Sequence, residues 1–222
     1  QVAAFGTAGL VGLESADVVA LTTAQAAALG SAQLAAISTT TIAAMETADI
    51  AALNTGAVKG LTTAQVAALS TAQMVALTTA QVANLSTAAV ARITTADIAA
   101  MTTAQVSAMS TAQAAALTTD QVSTLTTAQL AAFTTAQLVK METDDIAAIT
   151  TAQISALTTA QIANMTSVQI GALGTDQFAS LATSLVSVIK TASLGALSTA
   201  QLSSMTTAQL SAFSTAQVST LT

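Results

Sequence analysis

The stretch "LATSLVSVIKTASLGAL" (181–197) holds Ser184, Ser187 and Lys190 close together. A Ser–Lys pair is one arrangement that makes a nucleophile of a hydroxyl. "METDDIAA" (141–148) gathers Glu142, Asp144 and Asp145, the oxygen ligands that calcium takes. Asn84-Leu85-Ser86 and Asn164-Met165-Thr166 match the N-glycosylation sequon. Each candidate also has a plainer reading. The Ser and Lys fall in a ragged stretch of an otherwise regular repeat, acids suit the first turn of a helix, and sequons arise readily where Ser and Thr abound. With no His and no Cys, a Ser-His-Asp triad, an imidazole base and His or Cys metal sites are excluded. We therefore assign no catalytic and no cofactor-binding residue, expect no cofactor, and read the chain as non-enzymatic. Glu142, Asp144 and Asp145 stand as the one metal candidate, for calcium.

The positions of these residues depend on what carries them. The chain has 222 residues with no Cys, His, Pro, Trp or Tyr, and four basic residues against ten acidic ones. A net charge of −6 with dispersed cations argues against a nucleic-acid surface, which needs clustered Lys and Arg. Mean hydropathy is positive, but much of the apolar content is Ala. Polar residues also interrupt every stretch long before the roughly 20 residues that a membrane-spanning helix needs. No membrane span is expected.

Residues 61–85, "LTTAQVAALSTAQMVALTTAQVANL", show the organisation: near-copies of eight residues run head to tail. With Leu61 as position 1, the frame runs from Phe5 to Leu221 without insertion or deletion, through 27 complete octads. Position 1 is always Leu, Ile, Met or Phe, and position 3 is always Thr or Ser. Position 6 is large and apolar except at Ala26 and Ala114, and position 5 is mostly Gln, sometimes Asp. Such fixed-period self-similarity predicts a stacked architecture. Gln1-Val2-Ala3-Ala4 and Leu221-Thr222 cut the frame, which predicts one continuous array over 1–222 that is part of a longer one.

Eight is a poor period for one long helix. At about 100° per residue an octad advances about 800°, so the apolar stripe would turn by about 80° each time. A strand fails too, because positions 1 and 6 have opposite parity and would face opposite sides. The chain must change direction once per octad. Thr62-x-x-Gln65 and Thr78-x-x-Gln81 read as capping boxes, with positions 1 and 6 as the hydrophobic-staple pair around the cap. This predicts an all-α solenoid with one very short helix per octapeptide. Leu61, Val66, Leu69, Leu77, Val82 and Leu85 form its core, and Thr62, Thr63, Gln65, Thr78, Thr79 and Gln81 serve its corners and caps. The invariant position-3 hydroxyl is either the true cap or a donor to backbone at the corner or on the next coil; the second is favoured. A β-solenoid with Thr ladders is the alternative fold, since Thr and Val favour strands. Glu at position 2 always accompanies Asp at position 5 (Glu14/Asp17, Glu46/Asp49, Glu142/Asp145). Their spacing by multiples of four octads hints that four octads, or a divisor of four, make one turn.

The octads "LTTAQVAA", "LSTAQMVA", "ITTADIAA" and "LTTDQVST" resemble the L-[ST]-T-x-[QD]-[IVL]-x-x arrays of very long secreted or cell-surface proteins of Gram-negative bacteria, many of them adhesin-like. The resemblance implies an extracellular or cell-surface structural protein, a filament, sheath or stalk whose partner is itself. It supplies no functional residues. A solenoid presenting ranks of Thr and Ser to ice or a glycan is the second reading. The octads at 5–12, 53–60 and 181–196 depart from the pattern, so their geometry is left open.

Overall fold

A computed structural model describes residues 6–221; Phe5, where the register begins, Gln1 to Ala4 and Thr222 lie outside the described residues. The fold is an all-α solenoid of short helices, one per octad, from α1 (Thr7–Val11) to α27 (Thr215–Val218). Each helix has four to six residues. The described residues contain no strand, so the Thr-ladder β-solenoid is not the fold. The reason is local: Thr sits at the helix start, while Ala, Gln and the apolar position-6 residue lie inside the helix.

The corner needs no glycine. Leu69 closes α8 (Thr63–Ala68) at φ −62°, ψ 140°, and Ser70 opens α9 (Thr71–Ala76) at φ −73°, ψ 158°. Two successive extended residues therefore redirect the chain at positions 1 and 2. No described residue has a positive φ. L-residues adopt this corner freely, which is why it can recur in every octad without Gly or Asn.

The chain divides into two units, Gln1–Ala116 and Leu117–Thr222. In the first, α2 (Ser15–Val19) packs on α5 (Thr39–Ala44), α3 (Thr23–Ala27) on α6 (Thr47–Ala52), and α6 on α9. In the second, α15 (Thr119–Thr124) packs on α18 (Thr143–Ala148), and α18 on α21 (Ser167–Ala172). Within each unit a helix meets the helix three octads on, so one coil is three octads, or 24 residues. This corrects the hint of four octads, or a divisor of four. The Glu/Asp spacing reflected which helix starts are acidic, and it carried no information about how many corners close a circuit.

Positions 1, 5 and 6 point inward. Leu61, Val66, Leu69, Leu77, Val82 and Leu85 are all buried, as are Gln65, Gln73 and Gln81. Thr62, Thr63 and Ala64 are exposed, and Ala68 is half-buried. The ragged octads keep the register: α1, α7 (Thr55–Val58), α23 (Thr183–Val186) and α24 (Thr191–Leu194) all begin at position 3.

Candidate functional site

The residue that does most in each octad is the position-5 Gln. In its own helix it completes a capping box. The Thr78 N–H donates to Gln81 Oε1 at 2.6 Å, and the Gln81 N–H donates to Thr78 Oγ1 at 3.2 Å. Thr62 and Gln65 do the same at 2.8 and 3.2 Å. Position 2 is thus the cap, and position 3 is the first helical residue. Thr63 and Thr79 are exposed and do not cap. At Thr71 the position-3 hydroxyl does cross to the next coil, but it donates to the Asp97 carboxylate at 2.7 Å, not to backbone. Replacing Thr78 with Ala should cost about 1 kcal/mol, the usual value of a lost N-cap, whereas Thr79→Ala should stay within about 0.5 kcal/mol. Urea denaturation of the two variants checks this.

The same Gln has a second role that sequence reasoning missed. Its Nε2 reaches into the preceding coil and donates to carbonyls at the end of a helix, one that already accepts the corner N–H and one on the corner residue itself. Gln65 donates to Leu34 O at 2.7 Å and Ile37 O at 2.6 Å. Gln81 donates to Ile50 O at 2.9 Å, Ala51 O at 3.2 Å and Leu53 O at 2.8 Å. In the second unit, Gln161 donates to Leu130 O at 3.1 Å and Phe133 O at 2.8 Å, and Gln209 to Phe178 O at 3.1 Å and Leu181 O at 2.7 Å. One amide therefore caps the N-terminus of its own helix and the C-terminus of another, satisfying groups that a helix end otherwise leaves without partners. The signal was present in the sequence. A capping box accepts Glu as readily as Gln, yet position 5 holds 17 Gln, four Asp and no Glu in the 27 octads. Only the amide supplies donors as well as an acceptor.

Where position 5 is not Gln, the clasp changes. Thr41 Oγ1 donates to Leu13 O at 3.0 Å, a shorter version of the same reach. Asp97 turns to hydroxyls: Thr71 donates to Oδ1, and Thr94 to Oδ2 at 2.6 Å. Asp49 is buried, and its Oδ2 has no hydrogen-bond partner.

The residues singled out for other chemistry are placed by the same helices. No group of three or more acidic residues among the described residues is placed to hold a metal ion, and this includes Glu142, Asp144 and Asp145. Glu142 is the exposed N-cap of α18, Asp144 is exposed one turn-position on, and Asp145 is buried. Ser187 Oγ donates to the Ser184 carbonyl of its own helix at 3.0 Å, and Lys190 is the N-cap of α24. In the two sequons, Asn84 and Asn164 donate to Ala80 O and Ala160 O, each at 2.8 Å. Their third residues, Ser86 and Thr166, are N-caps.

The ALTTAQ repeat family model matches residues 2–45, 42–79, 62–87, 90–127, 127–159, 146–183 and 186–222. The six letters of its name correspond to position 8 of one octad and positions 1 to 5 of the next, as in Ala76-Leu77-Thr78-Thr79-Ala80-Gln81. They cover the corner and the whole capping box, ending on the clasp Gln. No curated protein matches the chain.

Proposed function

The chain belongs to the ALTTAQ repeat family, and from that premise we propose that it is a structural protein of the bacterial cell exterior, forming or extending a filament, sheath or adhesin stalk through contacts with itself. The observation that carries this reading is the Gln clasp. Coil after coil within each unit is tied to the one before it by the same donors and acceptors at the same register. A chain made this way resists separation of its coils at every step and adds length without a new kind of contact. On this reading the array is continuous over residues 1–222, needs no cofactor and performs no catalysis. The low charge, ten acids and four bases in 222 residues, leaves little repulsion between copies that lie side by side. No helix of the described residues is long and apolar enough to cross a membrane.

Electron microscopy of the purified chain over a range of concentrations tests the proposal. Filaments or laterally ordered bundles are the expected result. Discrete particles that persist to high concentration would overturn it.

The exposed position-3 hydroxyls, Thr63 and Thr79 among them, favour a second reading, in which the Thr face binds ice or a glycan. Thermal hysteresis from dilute monomer would select that reading over self-assembly.

A further inference from the structure

Asp49 stands where the neighbouring octads place their clasp Gln, on α6. By the register that pairs Gln81 with carbonyls 28 and 31 residues earlier, the groups opposite Asp49 would be the carbonyls of Leu21 and of Val18, the latter already accepting the Leu21 N–H. All of those groups are acceptors, and an ionised carboxylate adds only further acceptors. The side chain is 2% exposed, and Oδ2 is buried without a partner. Asp97, two coils on and in the same position, has donors around it. Thr71 and Thr94 each donate a hydroxyl to it, and Thr94 is its N-cap. At Asp49 the N-cap is Glu46, so a second acid replaces that local donor.

No basic group answers the charge. The helices packed on α6 are α3, "TAQAA", and α9, "TAQMVA", and neither has a titratable side chain. The helix whose end faces the slot, α2, contributes only Glu14 and Asp17 nearby. A carboxylic acid resolves the conflict, because its one O–H can donate where the Gln amide donates elsewhere.

We propose that Asp49 is a proton-gated clasp: as the neutral acid it donates to the helix-end carbonyls of the preceding coil and holds it, and on ionising it lets go. Asp145, in the second unit, carries the same pairing of acids. It occupies position 5 of α18 behind the N-cap Glu142 and is 4% exposed. The charged groups around it are Glu142 and Asp144 on its own helix and Asp120 on α15, while α21 has none. Burial, and then the charge of Glu46, push the Asp49 carboxyl above its ordinary value. Burial first, then Glu142 and Asp144, raise Asp145 to about 6, against the opposing pull of the Glu142 backbone N–H.

Both acids hold a proton more tightly folded than unfolded. Their stabilisation is therefore complete below the ordinary carboxylate value of 3.8 and is lost as pH rises through the folded value, about 6 for Asp145. For Asp145 alone the loss approaches about a hundredfold in the folding equilibrium.

Urea denaturation at pH 5 and pH 8 tests this on the full chain and on Asp49→Gln, Asp145→Gln and the double variant. The wild type should unfold at lower urea at pH 8 than at pH 5. The double variant should lose most of that difference and surpass the wild type at pH 8. A wild type at least as stable at pH 8 as at pH 5, or a double variant that keeps the full difference, overturns the proposal. Carbon-13 NMR of the wild-type carboxyls needs no variant. A carboxyl titrating near 6 supports the clasp, and a full set titrating below 5 overturns it.

Discussion

Gln81→Glu is expected to destabilise the fold by about 3–5 kcal/mol at pH 8, the usual cost of an uncompensated buried charge, although the two side chains have nearly the same shape. Gln81 is 1% exposed, and its amide splits its work. Oε1 accepts the Thr78 N–H, while Nε2 donates to the carbonyls of Ile50, Ala51 and Leu53. Glu keeps the first interaction, since a carboxylate completes a capping box. It reverses the second, aiming negative charge at three carbonyl oxygens inside the solenoid. Gln81→Ala, which removes donors without adding charge, should cost less, about 1–3 kcal/mol. The ordering at pH 8 is the decisive measurement. Urea midpoints should place Glu below Ala, with the gap closing towards pH 5 as the introduced acid takes up a proton and regains a donor. A Glu variant no worse than Ala at pH 8 would mean that the amide donors do not hold the coils together.

Gly60→Ala should cost about 3 kcal/mol, the upper end of what overpacking usually costs. Position 8 of this octad lies against the preceding coil. A Cβ on Gly60 would stand 2.0 Å from the Ser31 carbonyl oxygen and 2.6 Å from its carbon. These are backbone atoms, so no side-chain rotation relieves the clash; the two coils must move apart. Gly195 is the matched control. Nothing lies within 4 Å of its added Cβ, and its φ of −66° suits any residue. There Ala should be neutral or stabilising by up to about 1 kcal/mol through the unfolded chain. Thermal unfolding followed by circular dichroism separates the two, and equal effects would remove the close approach from the account. The octad "LNTGAVKG", irregular as a sequence, is thus a place where Gly60 lets one coil lie down on another. Its Asn54 still caps the helix, with Oδ1 accepting the Gly56 N–H at 2.8 Å.

Much of a single octad was legible in advance. Thr62 and Gln65 signal the cap, Leu61 and Val66 signal the staple, and the period of eight forbids an unbroken helix or strand. These are interactions within four or five residues, and the chain carries them wherever it goes. The position-3 hydroxyl misled. Thr63 and Thr79 are as regular as any residue in the repeat, yet they are exposed helix-start residues, and their regularity has no packing reason that the structure displays. The acidic octads misled differently. Their four-octad spacing suggested the size of a turn, whereas a coil contains three octads.

What the sequence by itself determined is the unit: its length, its cap, its corner and the two apolar residues it must bury. The tertiary structure alone decided how many units close a coil, and with it what Gln81 and Asp49 face. The physical reason is one of range. The turn is set by corner dihedrals accumulated over 24 residues, and small differences in each corner decide whether three or four helices complete it. Only after that sum is made do the carbonyls of Ile50 and Leu53 arrive beside one amide.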